Sequence, residues 1–336
     1  MLITLHSGTT GLTGLRRVRE TIKLSARAML HRQAVDGWLQ LLNSSPLFTD
    51  LVADHPRMVY KIFRPYFSNT MGYAARLTLL SEHYRFILRQ GLGPLTALAS
   101  KDKVVLARVT GKGGLPYHIQ LAAVEPMERE GELVLQLVAS STPGDEQEQE
   151  QTIVYNCAFS FHQGERGMVL GVGCMQGPRG DHGLQAIKDA TRELHGLRPK
   201  NMMVKLLGQI GYALGCSELR LVGNANRTVC RSVRQGKVHA DYDALWQELD
   251  ATVRADGDYR LPCEPLAEPD LAAIASKKRS EARKRHETLA TLAEAITASL
   301  RAARQPLAGS MLETPVASAH DAANDAANEH EAYALA

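Results

Sequence analysis

Apolar residues recur at helical spacing through the first hundred positions and then switch to alternation. From Leu15 they fall at Leu15, Val18, Ile22, Met29 and Leu30, with Arg16, Arg17, Arg19, Lys23 and Arg27 between them. That spacing predicts an amphipathic helix with a basic face. The stretch DGWLQLLNSSP continues helical and then stops, because Asn43, Ser44 and Ser45 favour turns and Pro46 cannot propagate a helix. Two more helices are expected around 47–63 and 70–90, separated by RPYFSN, the second ending in the glycine stop of RQGLGP.

After Lys101 the period becomes two. VVLARVT (104–110), YHIQLAAVE (117–125), ELVLQLVAS (132–140), TIVYNCAFSF (152–161) and GMVLGVGCM (167–175) are strand-length and rich in residues that fit a pleated surface. Short connections with Gly, Pro or charge imply an antiparallel meander. GDEQEQEQ (144–151) is too polar to bury and reads as an exposed hairpin tip. Helices return at about 183–195 and 200–214, SELRLVGN (217–224) holds one more strand, and 276–304 is a long helix. The first half of that helix is basic; Leu289, Leu292, Ile296 and Leu300 make an apolar stripe in the second. From Gln305 the chain is rich in Ala, Asn and acid, with little to bury, and disorder is expected. The fold class is therefore α+β: a helical N-terminal region (1–100), a core with a mainly antiparallel sheet flanked by helices and closed by a long helix (101–304), and an acidic tail (305–336).

Composition sharpens this little. With 336 residues, 44% of them hydrophobic, the chain can bury a sizeable core. No run of eighteen apolar residues is present, so no membrane span is expected. The opening MLITLHSGTTGLTGLRRVRE lacks a basic n-region followed by an apolar h-region, which favours the cytoplasm. Five cysteines (Cys157, Cys174, Cys216, Cys230, Cys263) form no C-x-x-C pair, arguing against a disulfide framework or zinc ribbon; no metal site is expected. Charge is uneven: residues 1–100 carry 12 Lys and Arg against five Asp and Glu, whereas 310–336 carry five acidic residues and no Lys or Arg. A basic N-terminal region suits anionic lipid, nucleic acid or an acidic partner; a merely solvated helix face is the alternative. SKKRSEARKRH (276–286) offers the same pair of readings, binding of RNA or an anionic membrane surface against internal ion pairing with Glu281 and Glu287.

Four stretches, KIFRPYFSNTMGYAARLTLLSEHYRFI (61–87), HGLRPKNMM (195–203), HADYDALWQEL (239–249) and SKKRSEARKRH, together resemble the VirK/YbjX proteins of Gram-negative bacteria. The resemblance runs from about residue 15 to about 300. It implies a domain of unknown biochemical function, with links to virulence, surface display of an outer-membrane protein and resistance to envelope-active peptides. It brings no catalytic residue with it.

The order of elements, a strand meander, a glycine turn, helices and one more strand, is similar to acyltransferases of the GNAT type. In those, backbone N–H groups at a helix start hold the pyrophosphate of acyl-CoA, a use of unpaired donors and partial positive charge. Two turns here are candidates for such a cofactor cradle: QGPRGDHG, with Gln176, Gly177, Arg179 and Gly180, and HGLRPKN, with Arg198 and Lys200 followed by Asn201. The sequence departs from the usual Q/R-x-x-G-x-G/A motif, because glycines follow Gln176 at offsets of one, four and seven, and two helices precede the next strand where one is usual. Plain strand-to-helix turns are the alternative. Cleft candidates are His182 and His195, since histidine as a residue type suits a general base, Asn224 and Asn226 at a strand end, and Tyr242 with Trp246 one helical turn apart. For each, a structural role stands beside the functional one: turn histidines, asparagine caps and aromatic core packing. No catalytic residue is assigned. Three readings follow: an acyl-CoA-dependent transferase acting on an envelope precursor, a non-catalytic module binding a small anion or a partner, and a basic adaptor on RNA or the inner-membrane surface.

Overall fold

The alternating segments assemble into one eight-stranded sheet. The computed structural model describes residues 2–140, 151–229 and 240–305. In it, β1 (Val104–Thr110), β2 (Pro116–Ala123), β3 (Leu133–Ser140), β4 (Gln151–Gly164) and β5 (Gly167–Gln176) pair antiparallel in chain order. β6 (Glu218–Leu221) then joins β5 in parallel, and β7 (Thr252–Val253) and β8 (Tyr259–Pro262) complete the order β1-β2-β3-β4-β5-β6-β8-β7. The first six strands lie where alternation predicts them. β7 and β8 are two and four residues long, too short for a period to show. The tip 144–150, Cys230 and the tail beyond Gln305 lie outside the described residues.

Helices cover one face. Ile87 of α4 (Tyr73–Arg89), Leu95 of α5 (Gly93–Lys101), Ile210 of α7 (Pro199–Ala213) and Leu300 of α9 (Ser276–Ala302) meet Leu121, Leu133, Phe159 and Phe161 of the sheet around a small apolar gap. The expected stripe Leu289, Leu292, Ile296, Leu300 is the buried side of α9. A single cluster of buried apolar residues runs from Ile3 to Leu300, so the N-terminal helices and the sheet share it.

The alternate positions carry polar groups. Gln120, Gln136, Asn156 and Gln176 pair directly across β2, β3, β4 and β5. Gln120 Nε2 donates to Gln136 Oε1 (2.8 Å), and Gln136 Nε2 donates to Asn156 Oδ1 (2.6 Å). Buried amides tolerate this position because each finds a partner in its row.

The N-terminal helices are α1 (Gly14–Leu30), α2 (Arg32–Leu42), α3 (Pro46–Asp54) and a 3-10 turn at Pro56–Phe63. The single helix expected over 47–63 is thus broken, because Pro56 lacks an N–H and forces His55 out of helical geometry (φ −128°, ψ 71°). α4 lies along the edge of β4 that extends past β3: His83 Nδ1 accepts the Phe161 N–H (3.1 Å), and Glu82 accepts that of Gln163 (2.9 Å). Beside this edge Lys61 Nζ pairs with Glu132 Oε1 at 2.6 Å, Tyr84 donates to the other carboxylate oxygen, and all three are buried. Burial raises the Glu132 carboxyl, but the Lys61 charge, the nearby His83 and hydrogen bonds from Lys61 and Tyr66 together lower it below its ordinary value, so the group stays ionised. α1 is the exception to core packing, since Leu24 is its one buried residue.

Candidate functional site

β5 and β6 part company after Val172. Their parallel pairing runs from Val169 to Val172 and ends with Val222 N–H donating to the Val172 carbonyl. One residue later β5 bulges, Gly173 being the extra residue opposite the Ala158–Phe159 step of β4. Only glycine fits here, because a Cβ on Gly173 would stand 1.9 Å from the Glu130 carbonyl oxygen. Beyond the bulge, the Met175 N–H and C=O face no strand on the β6 side.

A tyrosine hydroxyl fills that gap. α8 (Tyr242–Glu248) starts with Asp241 as its cap, accepting the Ala244 N–H at 3.1 Å. Tyr242 then reaches into the fork, where its hydroxyl accepts the Met175 N–H and donates to the Met175 carbonyl, both at 2.7 Å, with Cys174 Sγ 3.2 Å away. The Arg227 guanidinium stacks 3.8 Å from the ring centroid. Trp246, fully buried one turn on, donates its indole N–H to the Val222 carbonyl at 3.0 Å.

Titratable groups crowd the same fork. The Glu130 carboxyl accepts the Thr228 hydroxyl at 2.8 Å and is raised by burial. Cys174 is pushed up to about 11 by burial, against the hydrogen bond from Tyr242, so it is a neutral thiol. Tyr242 is itself raised well above its ordinary range by burial. The fork therefore holds a carboxyl of increased basicity and a phenol that keeps its proton. Among the described residues, no group of three or more His, Cys, Asp or Glu is placed to hold a metal ion.

At its other end α8 meets the start of α7. Glu248 Oε1 accepts from Arg198 Nη1 at 2.8 Å and from Asn201 Nδ2 at 3.2 Å, and Oε2 pairs with Lys200 Nζ at 2.6 Å. Pro199 occupies the first turn of α7, where its missing N–H removes no helical bond. Hydrogen bonds from Lys200 and Asn201, with the nearby cationic charges, hold the Glu248 carboxyl below its usual value. A carboxylate of the chain itself thus occupies the cationic helix start. α8 plugs the fork with one end and neutralises this start with the other.

Residues 13–298 match the family described as "Protein of unknown function (DUF535)". The chain belongs to this family. The uncharacterized protein YbjX of Escherichia coli K12 is 28% identical over 80% of this chain and 79% of its own length, in keeping with the VirK/YbjX resemblance. An uncharacterized protein of Haemophilus influenzae is 25% identical over 83% of this chain and 90% of its own. Among solved structures, a mutant of the cAMP-binding acyltransferase from Mycobacterium smegmatis is 12% identical. It aligns over 59% of this chain and 60% of its own, with a TM-score of 0.28, below the level that shows a shared fold.

In this DUF535 protein the two candidate cradles are separate. Arg198, Lys200 and Asn201 converge on Glu248, whereas Gln176, Gly177, Arg179 and Gly180 open α6 (Gly180–Glu193) at its far end. Fourteen helical residues intervene, roughly 21 Å. His182 is exposed on α6, and half-exposed His195 holds the turn before α7 with φ 55°. Asn224 and Asn226 bond within the fold: Asn224 Oδ1 accepts the Tyr242 N–H (2.9 Å) and its Nδ2 donates to Asp241 (2.7 Å), while Asn226 Nδ2 donates to Asp258 (2.7 Å). Tyr242 and Trp246 lie together in the fork, ring centroids 5.5 Å apart. Sequence reading passed over Glu130, Cys174, Arg227 and Glu248. Only Glu248 left a trace, six residues after Tyr242 in the YDALWQE run that carried the family resemblance.

Cations also gather in a small shallow recess lined by Arg57, Lys61, Arg64, Arg129, Glu128 and Tyr66. Glu128 already pairs with Arg64 at 2.7 Å there.

Proposed function

We propose that this protein transfers an acyl group from a coenzyme-A-type thioester to an envelope precursor, at the fork between β5 and β6, once α8 withdraws. The observation that carries the reading is the Met175 backbone pair. A strand edge that opens beside its neighbour offers one N–H and one C=O to an extended amide chain, and Tyr242 holds that place in the closed state. The cationic start of α7 suits the phosphates of the same donor, with Glu248 standing in for them. In transfer, the acceptor oxygen or nitrogen forms a bond to the acyl carbon and loses its proton to Glu130. The C–S bond breaks, and the departing thiolate takes up the proton that Glu130 accepted, which returns the carboxylate to its starting state.

The test is thermal denaturation of the full chain with acetyl-CoA, palmitoyl-CoA and free CoA. Saturating donor is expected to raise Tm by about 2 °C or more. Glu248→Gln should enlarge the shift by vacating the α7 start, and Arg198→Ala should abolish it. Release of free CoA thiol in the presence of an acceptor extract would then report turnover. Absence of any shift in both wild type and Glu248→Gln would overturn the reading.

A second reading has its own observation: both halves of the site are filled by groups of the chain itself. On that reading the protein is a non-catalytic module on the same scaffold. It predicts a thermal shift with free CoA as large as with the thioesters, and no thiol release.

A further inference from the structure

α1 presents its apolar stripe to solvent. At about 100° per residue, Leu15, Val18, Ile22, Ala26 and Met29 fall within an arc of roughly 80°. All five are exposed, Leu15 by 89% and Met29 by 82%. Leu30, 78% exposed, lies just beside the arc. Leu24, the one buried residue of the helix, projects roughly opposite and fastens α1 to the body. The pattern that makes α9 a core helix is here turned outward. Beside the stripe, on one flank, lie Arg16, Arg19, Lys23 and Arg27, all exposed. Glu20 is the single acidic residue of α1, and it faces Lys23 at 3.7 Å.

We propose that α1 lies in the surface of an anionic phospholipid membrane, with the Leu15–Met29 stripe among the acyl chains and the arginines at the headgroups. Two features select lipid. The stripe is a convex ridge on a helix fastened from its opposite side, a shape that enters a fluid interface without a matching groove. The excess positive charge is placed along the ridge, where it meets anionic headgroups as the apolar side chains insert. Neither signal alone holds a protein at a bilayer firmly; together they do. No helix among the described residues is long and apolar enough to cross a membrane, so attachment is from one side. The active groups proposed at the fork play no part in this inference, which stands or falls separately.

The experiment is co-sedimentation of the full chain with sucrose-loaded vesicles of phosphatidylcholine alone, or of phosphatidylcholine with one quarter phosphatidylglycerol, at low and high salt. Partitioning should be about tenfold stronger on the anionic vesicles and should fall steeply in high salt. Ile22→Asp with Met29→Asp should weaken it about tenfold or more, and Arg16→Glu with Arg19→Glu should do likewise. These side chains are exposed, so the Tm of each variant should match wild type and exclude misfolding as the cause. No sedimentation with anionic vesicles overturns the proposal, as does binding unchanged by Ile22→Asp with Met29→Asp. A dimer in light scattering that the same pair of substitutions dissolves, without vesicle binding, gives the stripe to a second copy instead. Retention of RNA without vesicle binding assigns the arginines to nucleic acid.

Discussion

Two buried imidazoles make the fold sensitive to mild acid. His83 is fully buried beside Lys61 and Glu132, and burial lowers its pKa to about 4. His162, packed against Phe67 with ring centroids 6.0 Å apart, is lowered to about 4 chiefly by burial. Arg220, Asp258 and Arg254 surround His162 at longer range with charges of both signs. His83 Nδ1 accepts the Phe161 N–H, so the neutral ring holds its proton on Nε2 and a second proton would have to displace that bond; His162 Nδ1 faces the Gln163 carbonyl, and Nε2, where a second proton would go, has no hydrogen-bond partner. Unfolded, each imidazole titrates near 6.5. Between about pH 4 and 6.5 the unfolded state therefore binds more protons, and stability rises with pH. The contribution is complete above pH 6.5 and is lost as pH falls towards 4. A shift of this size is worth roughly 3 kcal/mol per ring, so the two remove about 6–7 kcal/mol, comparable with the whole stability of many domains. The assay is urea unfolding followed by circular dichroism at intervals from pH 7.0 to 5.0. The slope due to the pair approaches about 2.7 kcal/mol per pH unit, one proton from each ring. Glu82 and Glu130, both raised by burial, act in the opposite sense just above their ordinary range. A variant isolates the imidazoles from those carboxyls, which are common to both proteins. His162→Phe keeps an aromatic ring against Phe67 without a proton and should remove about half the slope; His83→Gln, whose amide oxygen replaces Nδ1 as acceptor for Phe161, should remove the other half. Stability flat from pH 6.5 to 5.0, or a wild-type slope in His162→Phe, would refute the reasoning.

Two further outcomes follow from burial. Lys61→Met leaves the Glu132 carboxylate without its cation and should cost about 3–5 kcal/mol in urea unfolding, with much of the loss recovered in the double variant Lys61→Met/Glu132→Gln. Tyr242→Phe strips the Met175 N–H and C=O of their shared partner and should destabilise by about 2–4 kcal/mol, a cost that falls if an added acyl-CoA takes the same place.

The meander was legible because each strand is long enough for alternation to show and one face of it must be apolar. The fork was legible only as a glycine-rich strand end. What fills it comes from Tyr242, 67 residues after Met175, and the raised carboxyl beside it belongs to Glu130 in the loop before β3. No spacing rule links those positions, since chain folding alone sets the distances between them. Arg198 and Lys200 were visible as a cationic helix start, but their neutralisation by Glu248, about fifty residues on, was not.

Sequence by itself determined the long helices and the first six strands, and that α1 and α9 are both amphipathic. Periodicity records only that one side of an element is apolar; it carries no information on what stands opposite that side. Tertiary structure decided the rest. α9 lays Leu292, Ile296 and Leu300 against β1 and α7, where the sheet supplies a matching surface, while α1 is fastened through Leu24 and leaves its stripe outside. The same pattern thus yields a core helix in one place and an exposed apolar ridge in the other, because burial needs a partner surface and only the fold provides one.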